Sequence, residues 1–543
     1  MTKVSDIIVE TLAKLGVKRI YGIPGDTIAP LLDSIKRSKK LQFIQVRHEE
    51  YGAIAAEYEW KVGQQISACT GISGPGAANL VSGLYDAKMD HIPVIAITGM
   101  VETKNMWRGY TQELNSLKLF DDVSVFNALL VNPDEAEYLI YKAYKFAITE
   151  KGVSHIAVPL DVFIAETEEK RDIGYINAEI YNENDIECSI NVDKALEYIN
   201  NSSKPLILIG GGAKGEGLNI VELAHKINAP ILYSLNGKGI ISEDEELLIG
   251  GIGLMGNYAS FYALSNADLI LTLGSSLPFR ELFPNDATVI SVDVNPLNLN
   301  DKFKVKLGYA TTVRCFLKEI LPKLKVKEKG KFLEEVLEYK QRWLKYAGTV
   351  ENSNTDPIKP QRVIKTLGKL LEDDDILVVD SGSSTAWVTR HLRTNKHVNL
   401  VFTSWLGMMG VAIPGVIAAS FVSQKGRKVA IAGDGAFSAS MMELLTIKKY
   451  NLGSKVIVLN NGVYGLVKHE QERLGFEAYG IVLGETNYSR IVEGMGLRGM
   501  RVESVNELER KMEEFLNFSG PAVLEILVDP NEIPISWNVI PPT

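Results

Sequence analysis

Two polar residues at the ends of short apolar runs are the first candidates for chemistry in this chain. Asp434 follows the run 429–432, and Asn461 follows the run 456–459. A helical pattern separates the two runs, so we predict two parallel strands joined by a crossover helix. The carboxyl ends of such strands lie side by side, where open α/β sheets bind ligands. One carboxylate and one amide oxygen suit Mg²⁺ shared with a diphosphate better than a soft metal.

The glycines beside Asp434 add a second signal. Gly433 and Gly435 allow the backbone to approach a phosphate closely, and the helix that follows offers its N-terminus to the anion. A lone Gly-Asp-Gly is also a common turn between a strand and a loop. The asparagine pair that ends the next apolar run favours the metal site over the simple turn.

Composition limits the fold and the function. A chain of 543 residues is too long to fold around one hydrophobic core, and its length predicts about three domains. The net charge of −9, without a long basic run, argues against a nucleic-acid partner. The three cysteines, Cys69, Cys188 and Cys315, show no disulfide or metal spacing, which fits a reducing compartment.

Membrane and export signals are absent from the sequence pattern. The first fifteen residues are amphipathic and acidic rather than a signal peptide. No apolar run reaches the roughly 20 residues that a spanning helix needs. We therefore expect a soluble cytoplasmic protein.

The first hundred residues alternate between strand and helix patterns, which predicts a parallel sheet. One predicted strand, 43–46, leads into Arg47-His48-Glu49-Glu50 and a helix rich in small residues, 53–59. Glu49 is either an acid that is favourably placed in the first turn of a helix, or a partly buried carboxyl group that can bond a ring nitrogen. The loop 71–76 contains three glycines and a proline, which is typical of a close backbone approach.

A glycine pattern follows a predicted strand at 205–209. Gly210, Gly212 and Gly215 match G-x-G-x-x-G. The acidic residue expected about 20 positions later is missing, which disfavours a nicotinamide cofactor. Similar glycine-rich strand ends recur at 251–256 and at Gly274, and together they suit an extended nucleotide.

Longer stretches resemble the thiamine diphosphate enzymes. The segments 46–50 (VRHEE), 71–99 and 109–115 (GYTQELN) resemble the pyrimidine-binding first domain of pyruvate oxidase and acetolactate synthase. The segment 273–296 resembles the FAD-binding middle domain of pyruvate oxidase and quinone-dependent pyruvate dehydrogenase. The Asp434–Asn461 pattern resembles the thiamine diphosphate signature of the family. The resemblance covers essentially the whole chain.

The resemblance implies roles for particular side chains. Glu49 would hydrogen-bond the aminopyrimidine of thiamine diphosphate, and Gln112 matches the active-site glutamine of the family. Glu470, in the segment 468–472, matches an acidic residue beside the pyruvate oxidase site. The implied Mg²⁺ ligands are Asp434, Asn461 and the carbonyl of Val463.

The resemblance also implies cofactor contacts. Those for thiamine diphosphate are Gly382, Ser383, Ser384, Gly407, Met409, Gly433, Gly435, Ala436 and Phe437. Those for FAD are Gly210, Gly212, Gly274 and Asp293. The chain departs from the family pattern at Thr111, where Phe is usual, and at Leu466, where the oxidases carry Trp. It also has Thr311-Thr312 where relatives usually have a small residue followed by Asp. The resemblance therefore does not decide whether one contact to FAD is made.

We therefore predict an α/β protein of three doubly wound parallel-sheet domains: a pyrimidine-binding domain (1–180), a Rossmann-like FAD domain (190–345) and a diphosphate-binding domain (355–543). An irregular acidic stretch, 166–189, reads as a linker. In the family, the counterparts of Glu49 and Asp434 come from different subunits, which implies a homodimer or homotetramer. We also expect no C-terminal lipid-binding tail of the kind that the quinone-dependent relative has.

Two outcomes of the reaction stay open. The first is decarboxylation of pyruvate with FAD-dependent oxidation to acetate or acetyl phosphate. The second is an acetolactate synthase that condenses two 2-oxo acids and holds FAD only as a structural group. A nucleotide-binding regulator without activity is disfavoured, because Glu49, Asp434 and Asn461 are all present.

Overall fold

A computed structural model describes residues 1–168, 188–276, 280–299 and 304–542. Within these ranges the strands form three six-stranded parallel sheets, and a short antiparallel pair joins β1 (Thr2–Lys3) to β8 (Glu166–Thr167). This architecture confirms the predicted class of three parallel α/β units. Most of the predicted linker, residues 169–187, lies outside the described residues, so the domain boundaries stay predictions.

The first sheet has the order β3-β2-β4-β5-β7-β6. Its remaining elements are α1 (Val4–Lys14), β2 (Arg19–Gly22), α2 (Ala29–Ser38), β3 (Gln42–Gln45), α3 (Glu49–Gly63), β4 (Ser67–Gly71), α4 (Pro75–Met89), β5 (Val94–Met100), α5 (Ser116–Leu119), β6 (Ser124–Leu129), α6 (Ala136–Glu150), β7 (Val153–Pro159) and α7 (Leu160–Ile164). The helix predicted at 53–59 is longer and starts at Glu49, because its first turn is polar and gives no apolar period.

The second sheet has the order β11-β10-β9-β12-β13-β14. Its elements are α8 (Asp193–Asn201), β9 (Pro205–Ile209), α9 (Gly217–Ile227), β10 (Ile231–Tyr233), β11 (Leu248–Gly251), α10 (Tyr258–Asn266), β12 (Leu269–Leu273), β13 (Thr288–Asp293), β14 (Leu307–Ala310), α11 (Val313–Ile320) and α12 (Lys331–Glu351). Numbered along the chain, this is the order 3-2-1-4-5-6 of dinucleotide-binding folds, with its switch point between β9 and β12.

The third sheet has the order β16-β15-β17-β18-β20-β19. Its elements are α13 (Pro360–Leu370), β15 (Ile376–Val379), α14 (Ser383–His391), β16 (Asn399–Phe402), α15 (Ala412–Val422), β17 (Lys428–Gly433), α16 (Asp434–Ser440), α17 (Leu444–Lys449), β18 (Lys455–Asn460), α18 (Gly465–Arg473), α19 (Tyr488–Gly494), β19 (Arg498–Val502), α20 (Val505–Asn517) and β20 (Ala522–Leu527). Numbered along the chain, the first and third sheets share the order 2-1-3-4-6-5.

The first and third units share one hydrophobic core, centred on the packing of α3 against α15. Small residues let the two helices approach closely: a Cβ on Gly415 of α15 would lie 2.6 Å from the ring of Tyr58 on α3. Ala53 and Ala56 of α3 and Val416 of α15 are fully buried in the same core. Because equivalent helices of two equivalent units face each other, α3 is firmly tied to the third unit of its own chain.

The cysteine prediction was wrong. Cys188 and Cys315 form a disulfide, with a sulfur–sulfur distance of 2.08 Å, and Cys69 is a buried free thiol. The segment before α8 lies beside the last strand of the second sheet, where the Tyr309 hydroxyl donates to the carbonyl of Asn191. Sequence spacing shows only local pairs, and these two cysteines are 127 positions apart. The disulfide therefore speaks against a reducing compartment.

In the described part of the chain, no helix is both long enough and apolar enough to cross a membrane.

Candidate active site

Asp434 lies at the carboxyl end of β17 and is only 2 % exposed. Its Oδ2 accepts the backbone N–H of Gly462 at 2.8 Å, from the loop after β18. The two strands are parallel neighbours, as the apolar runs predicted. Burial raises the pKa of Asp434 to about 6, against the opposing effect of its backbone hydrogen bonds. A carboxylate in this position gains from a bound cation.

Asn461 and Val463 lie in the loop after β18, next to Asp434. The backbone N–H of Val463 donates to Oδ1 of Asn461 at 3.2 Å, so the loop folds back on itself. Asn460 points elsewhere: its side chain is buried and donates to Glu525 at 2.7 Å. A carboxylate, an amide oxygen and a main-chain carbonyl form a hard-oxygen donor set, which fits Mg²⁺.

A cavity of about 310 Å³ opens beside Asp434. It is lined by Pro360, Ser381, Gly382, Ser383, Ser384, Trp387, Gly407, Met409, Gly433, Asp434, Gly435, Ala436, Leu459, Asn461, Val463, Tyr464, Gly465, Leu466, Val467, Val528, Asp529 and Glu532. The first turns of α14 and α16 both border it, so backbone N–H groups can face an anion there.

Two positions in the cavity wall require glycine, because a larger side chain would be strained or would clash there. Gly382 precedes α14 with a φ of +118°, a conformation that L side chains rarely adopt. A Cβ on Gly435 would lie 2.5 Å from the ring of Tyr464. Phe437, which the resemblance placed among the cofactor contacts, is fully buried, and its ring meets Tyr488 edge-on. Its side chain is part of the core rather than of the cavity wall.

The loop between β16 and α15 carries Gly407 and Met409, and both line the cavity. Its second half is fixed by Asp380, which directly follows β15 and is fully buried. The two carboxylate oxygens of Asp380 accept the backbone N–H groups of Gly410 and Ala412, each at 2.8 Å. Burial nevertheless raises the pKa of Asp380 to about 6. No motif in the sequence pointed to this role of Asp380.

Glu49 begins α3 and is buried in the first unit. Asn79 donates its side-chain amide to Oε2 of Glu49 at 3.0 Å. The backbone N–H groups of Arg47 and His48, just before it, donate to Glu443 of the third unit at 2.7 and 3.1 Å. Glu49 is not among the residues that line the cavity beside Asp434. The chain therefore does not bring its own Glu49 and Asp434 into one cavity.

Gln112 lies in an exposed loop and has a φ of +62°, which is uncommon for a residue with a side chain. Its carbonyl accepts the hydroxyl of Ser73 at 2.7 Å. Glu113 holds the loop by accepting the backbone N–H groups of Trp107 and Tyr110. Backbone strain of this kind persists only where surrounding contacts enforce it, and it clusters at functional sites.

Glu470 is placed away from the cavity. It is partly exposed on α18 and pairs with Arg473 at 2.8 Å. Leu466 at the start of the same helix does line the cavity. Sequence reasoning missed Asp529 and Glu532, which follow β20 and ion-pair with Lys359 at 2.8 and 2.5 Å. The signal was available, because β20 is the parallel neighbour of β18 and its end meets the same edge.

The glycines of the second unit meet at its switch point. A Cβ on Gly210 would lie 2.3 Å from the carbonyl of Gly274, and a Cβ on Gly274 would lie 2.6 Å from Cα of Gly212. These glycines are therefore required by the contact between two loops, whatever else binds there. Asp293 ends the next strand, and its Oδ1 accepts the backbone N–H of Asn295 at 2.8 Å.

The Thr311-Thr312 departure has a local explanation. The Thr312 hydroxyl accepts the backbone N–H of Cys315 at 3.1 Å and so caps the N-terminus of α11. The backbone N–H of Thr311 donates to the carbonyl of Asp293 at 3.1 Å, which keeps this position beside the candidate FAD edge.

Comparison with known proteins identifies the class of protein that this fold and site define. Three models of the thiamine pyrophosphate enzymes match: the N-terminal TPP binding domain over residues 2–119, the central domain over 192–320 and the C-terminal TPP binding domain over 380–526. The chain belongs to the thiamine pyrophosphate enzyme family.

Individual relatives match over nearly the full length. The chain is 34 % identical over 532 residues to YdaP of Bacillus subtilis, named as a thiamine pyrophosphate-containing protein, with 98 % of this chain and 92 % of the relative covered. It is 28 % identical to the pyruvate oxidase of Lactiplantibacillus plantarum, covering 93 % and 85 % of the two chains. It is also 28 % identical to the acetolactate synthase large subunit of Lactococcus lactis, covering 98 % and 93 %.

Proposed function

We propose that this protein is a thiamine diphosphate- and Mg²⁺-dependent enzyme that decarboxylates pyruvate or a similar 2-oxo acid and passes the electrons to FAD. The observation that carries the proposal is the Asp434–Asn461 arrangement. Two adjacent parallel strands end in hard oxygen ligands, beside a cavity whose glycine-rich walls leave backbone N–H groups free to face a diphosphate.

Several groups of the cavity have a part in the proposed reaction. Asp434, Asn461 and the Val463 carbonyl hold Mg²⁺. The backbone of Ser383 and Ser384, with that of Gly435 and Ala436, holds the diphosphate. When bound, thiamine diphosphate supplies the electron sink for the loss of CO₂ from a 2-oxo acid. Met409 is a flexible side chain within the cavity, suited to shape the bound cofactor.

The remaining catalytic group comes from a second copy of the chain. Glu49 is buried in the first unit and does not line the cavity of its own chain. In a homodimer, the partner's first unit would cover the cavity, and its glutamate would hold a proton at N1′ of the pyrimidine. Exposed apolar side chains lie on both candidate faces: Trp107 and Tyr110 near Gln112, and Phe476 and Tyr479 after α18. We propose a homodimer at least, and a homotetramer as the larger assembly.

Oxidation is the outcome favoured by the resemblance of 273–296 and 468–472 to pyruvate oxidase, and we propose FAD on the second unit as its electron acceptor. Support comes from the 3-2-1-4-5-6 strand order, with Gly210, Gly212 and Gly274 at the switch point and Asp293 on the neighbouring strand. Glu470 is retained as a catalytic candidate on α18, which would have to move for it to reach the cavity.

An acetolactate synthase is the second candidate. The relatives named pyruvate oxidase and acetolactate synthase match this chain at the same identity, so neither name is preferred. Thr111 also leaves more room beside Gln112 than a phenylalanine would, and a condensation needs space for a second 2-oxo acid. A cytoplasmic location stays a prediction, and the Cys188–Cys315 disulfide is the observation that speaks against a reducing compartment.

Anaerobic mixing separates the two candidates. The protein, loaded with thiamine diphosphate, Mg²⁺ and FAD, is mixed with pyruvate while flavin absorbance and products are followed. Bleaching of the flavin in step with CO₂ release supports the oxidase. Acetolactate formation without bleaching would replace it with the synthase. The absence of any cofactor-dependent CO₂ release would reject both.

A further inference from the structure

A buried ion cluster lies between the first and third units, away from the candidate metal site. The ammonium of Lys61 on α3 pairs with Glu57 and with Asp90, each at 2.6 Å, and with Asp86 at 3.8 Å. All four side chains are buried. No motif in the sequence pointed to them, since they come from two helices and the loop after the second.

The charge of this cluster is unbalanced, with one ammonium among three carboxyl groups. Burial raises the pKa of Glu57 well above its ordinary value, and it raises that of Asp86 as well. Three carboxyl groups so close together could hold a metal ion, but the Lys61 ammonium already fills the position of the cation. The four side chains therefore form an ion-pair cluster and not a metal site.

This ion cluster, which we call the joint, hydrogen-bonds the first half of the loop that carries Met409. Lys61 donates to the carbonyl of Phe402 at 3.0 Å, at the end of β16. Asp90 accepts the backbone N–H groups of Ser404 and Trp405 at 3.1 and 2.9 Å, one on each oxygen. The Thr403 hydroxyl donates to Asp86 at 2.6 Å. Residues 402–405 are thus bonded to the first unit at every position.

The second half of the same loop is held by Asp380 through Gly410 and Ala412. The stretch that carries Gly407 and Met409 therefore spans two anchors that belong to different units. Both anchors are buried carboxylates that accept backbone N–H groups, which is a strong form of hydrogen bond. A displacement of either anchor would move Met409 within the cavity.

Helix α3 makes the first anchor rigid. Its N-terminal end is tied to the third unit because Glu443 accepts the backbone N–H groups of Arg47 and His48. Its Lys61 end is about 18 Å away along the helix, at the usual rise per residue. Since both ends of α3 bond to the third unit, the helix cannot tilt without breaking one set of bonds.

We propose that Lys61, Asp86 and Asp90 are positioning residues for the reaction: from the first unit, they set the loop that places Gly407 and Met409 against the cofactor. This inference rests on the proposed function for its catalytic consequence. Its structural part, the anchoring of residues 402–405 by the joint, stands on the contacts alone. The ion cluster acts on the cavity of its own chain. In the proposed dimer, Glu49 of that chain acts instead in the cavity of the partner chain.

The first test uses Asp90→Asn, which keeps the shape but leaves only one acceptor for two backbone donors. We expect kcat to fall about 10- to 100-fold, because a small misplacement at the reacting centre costs this much. The near-UV circular dichroism of bound thiamine diphosphate should change, while the KM for pyruvate and the affinity for Mg²⁺ should not. Amide hydrogen exchange in 404–411 should become faster with no cofactor present.

Matched variants separate positioning from general damage. Asp122→Asn is the control, since Asp122 is an exposed carboxylate of the same unit that pairs with Lys88 at 2.7 Å, and it should behave as the wild type. Lys61→Met should reproduce the effect of Asp90→Asn, and Lys61→Arg should recover part of it. If Lys61→Met does not fold, Thr403→Val removes one bond of the joint without removing a charge.

The experiments distinguish failure of the loop anchoring from failure of the proposed function. Wild-type exchange in 404–411 and an unchanged dichroism spectrum in both Asp90→Asn and Thr403→Val would overturn the inference. If the wild-type protein releases no CO₂ with its cofactors, the proposed function fails, and hydrogen exchange alone still decides whether the joint anchors the loop.

Discussion

Gly462 donates its backbone N–H to Oδ2 of Asp434 over 2.8 Å, and this bond ties the end of β17 to the loop after β18. It uses one carboxylate oxygen and leaves the other for a cation. The same bond fixes the position of the neighbouring Asn461 and Val463. We propose that this bond prepares the candidate metal site before an ion binds.

Asp434→Asn tests that site. The change keeps the size of the side chain but removes its charge, so we expect affinity for Mg²⁺ with thiamine diphosphate to fall by at least about 100-fold. Titration calorimetry measures it. Asp529→Asn is a matched control, because Asp529 lines the same cavity but is neutralised by Lys359. Equal loss in both variants would assign the effect to the general charge of the cavity.

Glu49→Gln tests the role of the first unit. Loss of the proton-holding carboxyl group should lower kcat by about 10²- to 10⁴-fold. Co-expression of Glu49→Gln and Asp434→Asn chains with different tags then tests whether each site takes one group from each chain. With equal expression, about half of the two-fold dimers contain one chain of each variant. Each of these mixed dimers has one intact site out of two, so activity should recover to about a quarter of that of the wild type. Activity no higher than that of either variant would place both residues in one chain.

The buried His155 predicts a pH dependence of stability. Its ring stacks on Phe120 with centroids 3.7 Å apart, and its two nitrogens bond Thr98 and Asn127, each at 2.8 Å. Burial lowers the pKa of His155 to about 3. Because the folded pKa lies below the unfolded value near 6.5, the stabilisation is complete above pH 6.5 and is lost as the pH falls toward 3.

The measurement for His155 compares urea unfolding at pH 7 and pH 5 with that of His155→Gln, which does not titrate. The wild type should lose about 2 kcal/mol more free energy of unfolding than the variant between these two pH values. Parallel losses in the two proteins would show that this histidine does not carry the dependence.

The disulfide predicts a thiol count. Unfolded without reductant, the chain should show one reactive thiol, that of Cys69, and three after reduction. Cys315→Ser should lower the free energy of unfolding by about 2–4 kcal/mol, since it releases a long loop in the unfolded chain. Three thiols before reduction would contradict the bond.

Local pattern predicted the elements well where the apolar period was clear. The strand 205–209 has the predicted bounds, because it is a continuous buried apolar run. The apolar pattern of α3 began only at Ala53, whereas the helix starts at Glu49, which agrees with the interpretation of Glu49 as an acid in the first turn. The strand ends at Asp434 and Asn461 were adjacent as predicted, since parallel pairing follows from the crossover helix.

Contacts between distant segments could not be predicted in this way. The bonds from Asp380 to Gly410, from Lys61 to Phe402 and between Cys188 and Cys315 join residues with no shared period or motif. The glycines of the second unit show the opposite case. Their pattern suggested a ligand, and the structure adds a second reason for them in the contact between Gly210 and Gly274.

The proposed function requires a thiamine diphosphate-dependent loss of CO₂ from a 2-oxo acid. The direct measurement is release of labelled CO₂ from pyruvate labelled at its carboxyl carbon, with and without added thiamine diphosphate and Mg²⁺. We expect release by the wild-type protein only when both are present, and no release by Asp434→Asn. Release that does not depend on the cofactor, or no release by the fully loaded protein, would contradict it.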